Sequence, residues 1–515
     1  MFQEIESVLA SPLPTLPAFI AAHAATRPDH IALRQDDESI SYQELDQIMD
    51  RLAQAFKQMG LQQGDKISVC AYTSLAYCQV FLATLRAGMT IVPLAPSSSP
   101  EQLAAMIADC GAPIVFLDTA MQAHLAGQTL SAEIHPLQGA HLADLMRDST
   151  AFEAVAISPE TNFNIIYSSG TTGVPKGIVQ SHGMRLPMMI PKDPPGYGPD
   201  AVTLLSTPLY SNTTMTSFLP TLAGGGTVIL MEKFEVQAYL ALAESWRVTH
   251  TMLVPVQYRR IMADPSFDSF DLSAFDTKFC TSAPFAAALK ADVLKRWPGG
   301  LIEYYGMTEG GGGCALVAHH YPDKLHTVGR PLPGHEIFTI NEAGERCAPG
   351  EIGEIVGCSG AIMKGYHNQP TKTREAEWFD ADGRRHIRTG DIGFFDEDGF
   401  LTLMDRKKDM IISGGFNIYP SDIEAILVQH PHVIETAIVG VPSERWGETP
   451  VAYVVVTDDA RADLAQILLW LNEKLGKTQR VSDICATHQL PRSAIGKVLK
   501  RELVDLYKEQ MATKA

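Results

Sequence analysis

Between Ser41 and Gly60, apolar residues recur at Leu45, Ile48, Met49, Leu52 and Phe56, the spacing of one helix face. Ser41-Tyr42-Gln43-Glu44 has the form of a capping box at the start of this helix, and Gly60 stops it. The pattern then shortens. KISVCA (66–71) is a continuous apolar run, Ser74 to Gly88 returns to helical spacing, and Thr90 to Leu94 is a second short run. Strand, helix and strand in this rhythm predict parallel strands covered by helices. NIIY (164–167), TVIL (227–230) and HTMLVP (250–255) continue it.

From about Gly334 the texture changes. HEIFTI, GEIGEIVGCSG and GFLTLMD are short strand-like runs between glycines, which predicts antiparallel pairing. A charged step, DRKKD (405–409), follows. Ser421-Asp422-Ile423-Glu424 has the form of a second capping box, ETAIVGV and PVAYVVV read as strands, and DLAQILLWLNEKL reads as an amphipathic helix. The expected organisation is α/β: a large N-terminal domain of helix-covered sheets (1–404) and a small, mobile α+β C-terminal domain (405–515).

Bulk properties narrow the function. A chain of 515 residues is long for one core. A formal net charge of -18 disfavours a nucleic-acid binder, which needs a basic face. No apolar run is long enough to span a bilayer, so no transmembrane segment is expected. The N-terminal stretch lacks the pattern of a secretory signal, and Thr-Lys-Ala at the end is not a peroxisomal address. The 8 cysteines include no C-x-x-C pair, which fits free thiols in a reducing cytoplasm.

The chemistry concentrates in a few segments. YSSGTTGVPKG (167–177) gathers glycines, hydroxyls and one lysine, which suits a loop around phosphate. Counted from Gly170, the sixth position is Pro175, so the Walker A pattern fails. In YYGMTE (304–309), Tyr305 suits stacking on a base, Thr308 a phosphate contact and Glu309 a Mg²⁺ ion. Asp391 of TGD suits ribose hydroxyls, and PRSAIGK (491–497) presents Lys497. Each segment alone is weak evidence.

In this order they resemble the adenylate-forming superfamily of acyl-CoA synthetases, amino-acid adenylation domains and beetle luciferases. The resemblance runs from about Pro28 to Leu503 and includes DRKKDMIISGGFNIYPSDIE. It implies an AMP-forming acid–thiol ligase using ATP, Mg²⁺ and coenzyme A, with an acyl adenylate as intermediate. Ser168, Ser169, Gly170, Thr171, Thr172 and Gly173 would hold the departing phosphates, with Lys176. Tyr305 would stack on adenine beside Ser282, Ala283 and Pro284. Thr308 would meet the α-phosphate, Glu309 the metal, and Asp391 and Arg406 the ribose. Lys497 would bridge carboxylate and phosphate oxygens, and Lys408 would be the hinge. Gly414, Gly415 and Trp446 would line the pantetheine path, and Arg480 would meet CoA phosphates. Relatives often carry Lys-Arg-Pro where this chain has Gln479-Arg480-Val481.

For the acyl pocket, PLYSNTT (208–214) places Tyr210 and Ser211 where many relatives have an aromatic followed by His. No carboxylate occurs in YSNTTMTSF, which disfavours an amino-acid substrate. Gly310, Gly311, Gly312 and Gly313, with Met215 and the methionines at 184, 188 and 189, suggest a wide neutral pocket. The expected substrate is an aromatic, alicyclic or medium-chain acid. A stand-alone enzyme loading a carrier protein is the alternative, followed by a luciferase-like enzyme and a non-catalytic nucleotide sensor. A homodimer is compatible with the sequence.

Overall fold

The computed structural model describes residues 2–149, 152–168, 175–190, 196–413, 416–457, 463–476, 479–493 and 496–514. The chain divides into two compact units. The first comprises 1–326, 331–336 and 357–387; the second comprises 327–330, 337–356 and 388–515.

The first unit holds two helix-covered sheets. In one, strands Gly300–Tyr305, Thr277–Cys280, His250–Leu253, Val202–Leu205, Thr227–Leu230 and Ile31–Gln35 lie side by side in parallel. In the other, Asn162–Ser168, Thr90–Leu94, Lys66–Cys70, Ile114–Leu117 and Glu133–Pro136 are parallel, and Lys176–Ser181 turns back antiparallel to the first of these. Strands buried on both faces explain the unbroken apolar runs of the sequence.

Helix Tyr42–Gln58 begins with the expected capping box at Ser41 and Glu44. Its Leu45, Met49, Leu52 and Phe56 are buried in one apolar cluster with Phe81 of helix Leu75–Arg86, Val69 of one sheet, and Leu33 and Val228 of the other.

The second unit carries the sheet Phe416–Ile418, Ile411–Ser413, Gly447–Val456 and Val433–Ser443, with Asp483–Ala486 parallel to Gly447–Val456. Successive residues of Val433–Ser443 face opposite cores. Ile438 packs with Ile423, Leu427 and Leu471, whereas Ala437 and Val439 pack with Tyr453 and Leu503.

The second expected capping box does not form. Helix Pro420–Leu427 starts at Pro420 behind Tyr419, which makes no side-chain cap. A proline whose missing N–H costs nothing at the first helical position explains the earlier start. The Ser421 amide instead donates to Asp405 Oδ2 at 2.9 Å. Glu424 accepts from the Ile438 amide at 2.8 Å and pairs with Lys500 at 3.0 Å.

Candidate active site

Strands Asn162–Ser168 and Lys176–Ser181 are paired so that Ser168 stands opposite Lys176. The glycine- and hydroxyl-rich loop therefore springs from a closed two-strand stem. Lys176 Nζ lies 4.8 Å from the centre of the Tyr366 ring. Tyr366 belongs to the short strand Gly365–Tyr366, paired with Ile178 and Val179 of the same stem. Its hydroxyl donates to Glu309 Oε1 at 2.8 Å. Tyr366 thus joins two residues that lie 133 positions apart in the sequence (309 minus 176).

Thr308 is backed by a buried polar network. Gln180 Nε2 donates to the Thr308 carbonyl at 2.6 Å, and Asn164 Nδ2 donates to Gln180 Oε1 at 2.9 Å. Arg185, wholly buried, donates to Asn164 Oδ1 from Nη2 at 3.1 Å and also to Gln180 Oε1. Among the described residues no carboxylate pairs with Arg185, and burial pulls its pKa down to about 9.

Tyr305 ends strand Gly300–Tyr305, and Ser282 to Pro284 follow the neighbouring parallel strand Thr277–Cys280. Both segments leave the carboxyl ends of adjacent strands, where ligands of open α/β sheets bind. Ser282 has a left-handed φ of 81°, and its hydroxyl lies 2.5 Å from that of Thr213. Thr213 in turn donates its amide to Ser211 Oγ at 3.2 Å, so Ser211 caps helix Asn212–Gly224. Burial pushes the Tyr210 hydroxyl up to about 12, keeping it neutral.

In the second unit, Asp391 stands opposite Arg406 across an antiparallel pair, and Arg406 Nε donates to Asp391 Oδ1 at 2.9 Å. Arg406 Nη2 also donates to the Thr389 carbonyl at 3.1 Å. Burial, then the positive charge of Arg406, lowers the Lys497 pKa from the ordinary lysine value, while Asp391 opposes the shift. Lys497 is held in a closed turn: its carbonyl accepts from the Ser493 amide at 2.8 Å, and its amide donates to Ser493 Oγ at 3.2 Å. Lys408 lies in the turn after strand Leu401–Arg406, where the Asp409 amide donates to the Arg406 carbonyl at 2.9 Å. Trp446 is exposed, with the Arg445 guanidinium 4.7 Å from its ring centre, and Arg480 is exposed.

Residues 20–367 match the AMP-binding enzyme family, and residues 422–497 match the AMP-binding enzyme C-terminal domain. The chain belongs to the AMP-binding enzymes. It is similar to a feruloyl-CoA synthase of Amycolatopsis sp, with 33% identity over 93% of this chain and 96% of the relative. It is also similar to an indoleacetate–CoA ligase of Aromatoleum aromaticum, with 31% identity over 95% and 98%. Among solved structures, ATP-bound MatB from Rhodopseudomonas palustris superposes with a TM-score of 0.86 at 29% identity, covering 96% of this chain and 99% of that one. The adenylate-forming superfamily expected from the motifs is therefore the right one, and with it the enzyme class of AMP-forming acyl-CoA synthetases.

In this AMP-binding enzyme, Ser169, Gly170, Thr171, Thr172 and Gly173 of the expected phosphate loop, and Gly414 and Gly415, lie outside the described residues. Two sets of residues expected at the acyl pocket also have packing or backbone roles. Met215 is 2% exposed and belongs to the main apolar core, so its bulk is spent on packing. Gly310 and Gly311 are required by the backbone. Their φ angles are 75° and 90°, and a Cβ on Gly310 would lie 1.9 Å from the Ala361 carbonyl oxygen. A Cβ on Gly311 would meet the Gly357 carbonyl oxygen at 2.8 Å. Gly310→Ala should therefore destabilise the fold by about 1–3 kcal/mol from conformation alone, with the collision adding to it. Chemical denaturation checks this; unchanged stability would return Gly310 to the role of a size filter.

The residues that sequence reasoning missed are Tyr366, Gln180, Asn164 and Arg185. KGYHN (364–368) has no local feature that separates Tyr366 from a core tyrosine. For Mg²⁺, the described residues contain no group of three or more His, Cys, Asp or Glu side chains able to hold a metal. Glu309 alone fits this ion, which is commonly bound by one or two carboxylates together with substrate phosphates.

Proposed function

We propose that this enzyme is an ATP-dependent carboxylic acid–CoA ligase whose acid is apolar and uncharged at its tail: aromatic, alicyclic or medium-chain. The observation that carries the substrate class is the start of helix Asn212–Gly224. Ser211 caps it, its first turn has no acidic residue, and half-buried Tyr210 precedes it as a neutral phenol. An ammonium group would find no counter-charge there. The names of the feruloyl and indoleacetate relatives support an aromatic acid.

In the first step a carboxylate oxygen attacks the α-phosphorus of ATP, and the bond to pyrophosphate breaks. Two anions meet, so the chief requirement is positive charge at the reacting oxygens. Lys497 supplies it to the carboxylate and phosphate, and Lys176, beside Ser168, to the departing phosphates. Glu309 would hold Mg²⁺, which when bound neutralises phosphate charge. Tyr305 and the Ser282–Pro284 turn flank the base, Thr308 meets the α-phosphate, and Asp391, fixed by Arg406, meets the ribose. In the second step the thiol of CoA attacks the acyl carbon, the bond to AMP breaks, and the thiol proton passes to solvent. Lys408 is assigned the hinge at a boundary near 405. Gly414, Gly415 and exposed Trp446 are assigned the pantetheine path, and Arg480 a CoA phosphate contact.

The test is a screen of carboxylic acids for AMP release that depends on both ATP and the thiol. Neutral aromatic, alicyclic or medium-chain acids should give kcat/KM values at least about tenfold above amino acids or acetate, a gap of about 1.4 kcal/mol. An amino acid as the best substrate would overturn the reading of Ser211. Preference for a phosphopantetheinylated carrier over free CoA would reassign the acceptor.

A further inference from the structure

Tyr366 is tied into the first unit more firmly than its place in a two-residue strand requires. Its amide donates to Thr373 Oγ1 at 2.9 Å. The next residue, His367, donates its amide to the Gly177 carbonyl at 2.7 Å, and Asn368 Nδ2 donates to the Asp109 carbonyl at 3.1 Å. Asn368 has a left-handed φ of 53°, a conformation that Asn adopts more readily than most side chains. The ring is buried with Ile178, Met184, Met363 and Ile387. A ring so fixed delivers its hydroxyl to Glu309 Oε1.

The surroundings give that contact a purpose. Lys176 and Glu309 have opposite charges, and both approach Tyr366. They do not pair with each other: Lys176 lies against the ring, and Glu309 is held by the hydroxyl. A direct ion pair would remove both groups from their ligands. A neutral donor holds the carboxylate's direction while leaving its charge intact. The Gln180 bond to the Thr308 carbonyl and the Met363 amide bond to the Glu309 carbonyl, at 2.8 Å, fix the backbone on both sides. The Glu309 side chain is thus the remaining freedom, and Tyr366 removes it.

We infer that Tyr366 is a positioning residue that orients the Glu309 carboxylate toward a divalent cation bound with the nucleotide triphosphate. The inference rests on the metal role proposed for Glu309, and the experiment separates the two. Free Mn²⁺ is followed by electron paramagnetic resonance while the full-length enzyme is titrated with the ion in the presence of α,β-methylene-ATP. AMP binding without metal is measured in parallel. Tyr366→Phe keeps the ring and removes the hydroxyl. It should raise the Mn²⁺ concentration for half-saturation by roughly 10- to 100-fold, the usual cost of losing a partner that orients a metal ligand. AMP binding without metal should be unchanged.

Glu309→Gln should lose Mn²⁺ binding at least as strongly. Tyr366→Phe added to Glu309→Gln should cost nothing further, because the hydroxyl acts through the carboxylate. A loss in Glu309→Gln with none in Tyr366→Phe overturns the inference alone. A loss in neither overturns the metal role of Glu309, and the inference with it. A Tyr366→Phe enzyme that also binds metal-free AMP more weakly shows that the hydroxyl serves the fold rather than Glu309, and this also overturns the inference.

Discussion

Lys497→Ala is expected to reduce acyl-adenylate formation by roughly 10³- to 10⁵-fold, the range for removing a cation from phosphoryl transfer. Thioester formation from supplied acyl-AMP should stay within a few-fold of the parent rate. The asymmetry follows from the chemistry of the two steps. Adenylation forces a carboxylate against a phosphate and needs positive charge between them. The thiol step attacks an uncharged acyl carbon and expels AMP, so it lacks that repulsion. The surroundings of Lys497 add a pH signature. Burial, then Arg406, lowers its pKa from the ordinary lysine value. The protonated form is the useful one, so adenylation should fall as pH rises through that lowered pKa. Lys497→Arg should remove this alkaline limb, because a guanidinium stays charged there. Pyrophosphate exchange and thioester formation, each followed against pH, check both statements. Equal loss in both half-reactions would refute the role.

The parts legible in the sequence were those determined locally. The helix Tyr42–Gln58 follows from its own apolar stripe and its Ser41 cap, and the strand Lys66–Cys70 from a run that must be buried on both faces. Lys176 begins the strand Lys176–Ser181, and Thr308 and Glu309 lie in the turn after strand Gly300–Tyr305, positions that local signals mark out. The polar partners behind them are not legible in this way. Gln180 reaches Thr308 across 128 positions, and Tyr366 reaches Glu309 across 57. No spacing rule connects such pairs; they meet only once the sheet is assembled. Glycines carry two readings for a related reason. A run such as Gly310 to Gly313 looks like removed volume, yet the first two are needed for left-handed backbone against the Ala361 and Gly357 carbonyls. The second expected capping box failed because Pro420 could begin the helix earlier and Glu424 had a stronger partner in Lys500.

Lys290→Met should destabilise the first unit by about 3–5 kcal/mol at pH 8, the cost of leaving one member of a buried ion pair alone. Lys290, on helix Ala287–Arg296, is 1% exposed, and Glu303, on strand Gly300–Tyr305, is 3% exposed. The two form an ion pair, and Lys290 Nζ also donates to the Leu325 carbonyl at 2.8 Å. Burial pushes the Glu303 carboxyl up to about 7, even with Lys290 opposing the shift. Without Lys290 the shift must grow, since burial then acts unopposed. The sign of the pH dependence follows. A carboxyl whose folded pKa is raised gives its full stability below its unfolded pKa and loses it as pH rises through the folded value. The Met variant should therefore be closest to the parent near pH 5 and fall behind it toward pH 8. Urea midpoints at the two pH values test this, and a loss independent of pH would show that Glu303 is not the group responsible. Adding Glu303→Gln removes the stranded charge and should recover much of the loss at pH 8, because replacing both members of such a pair is far milder than removing one. The strand at stake ends in Tyr305, so the same variant should bind AMP more weakly at pH 8 than at pH 5, a trend the double variant should not show.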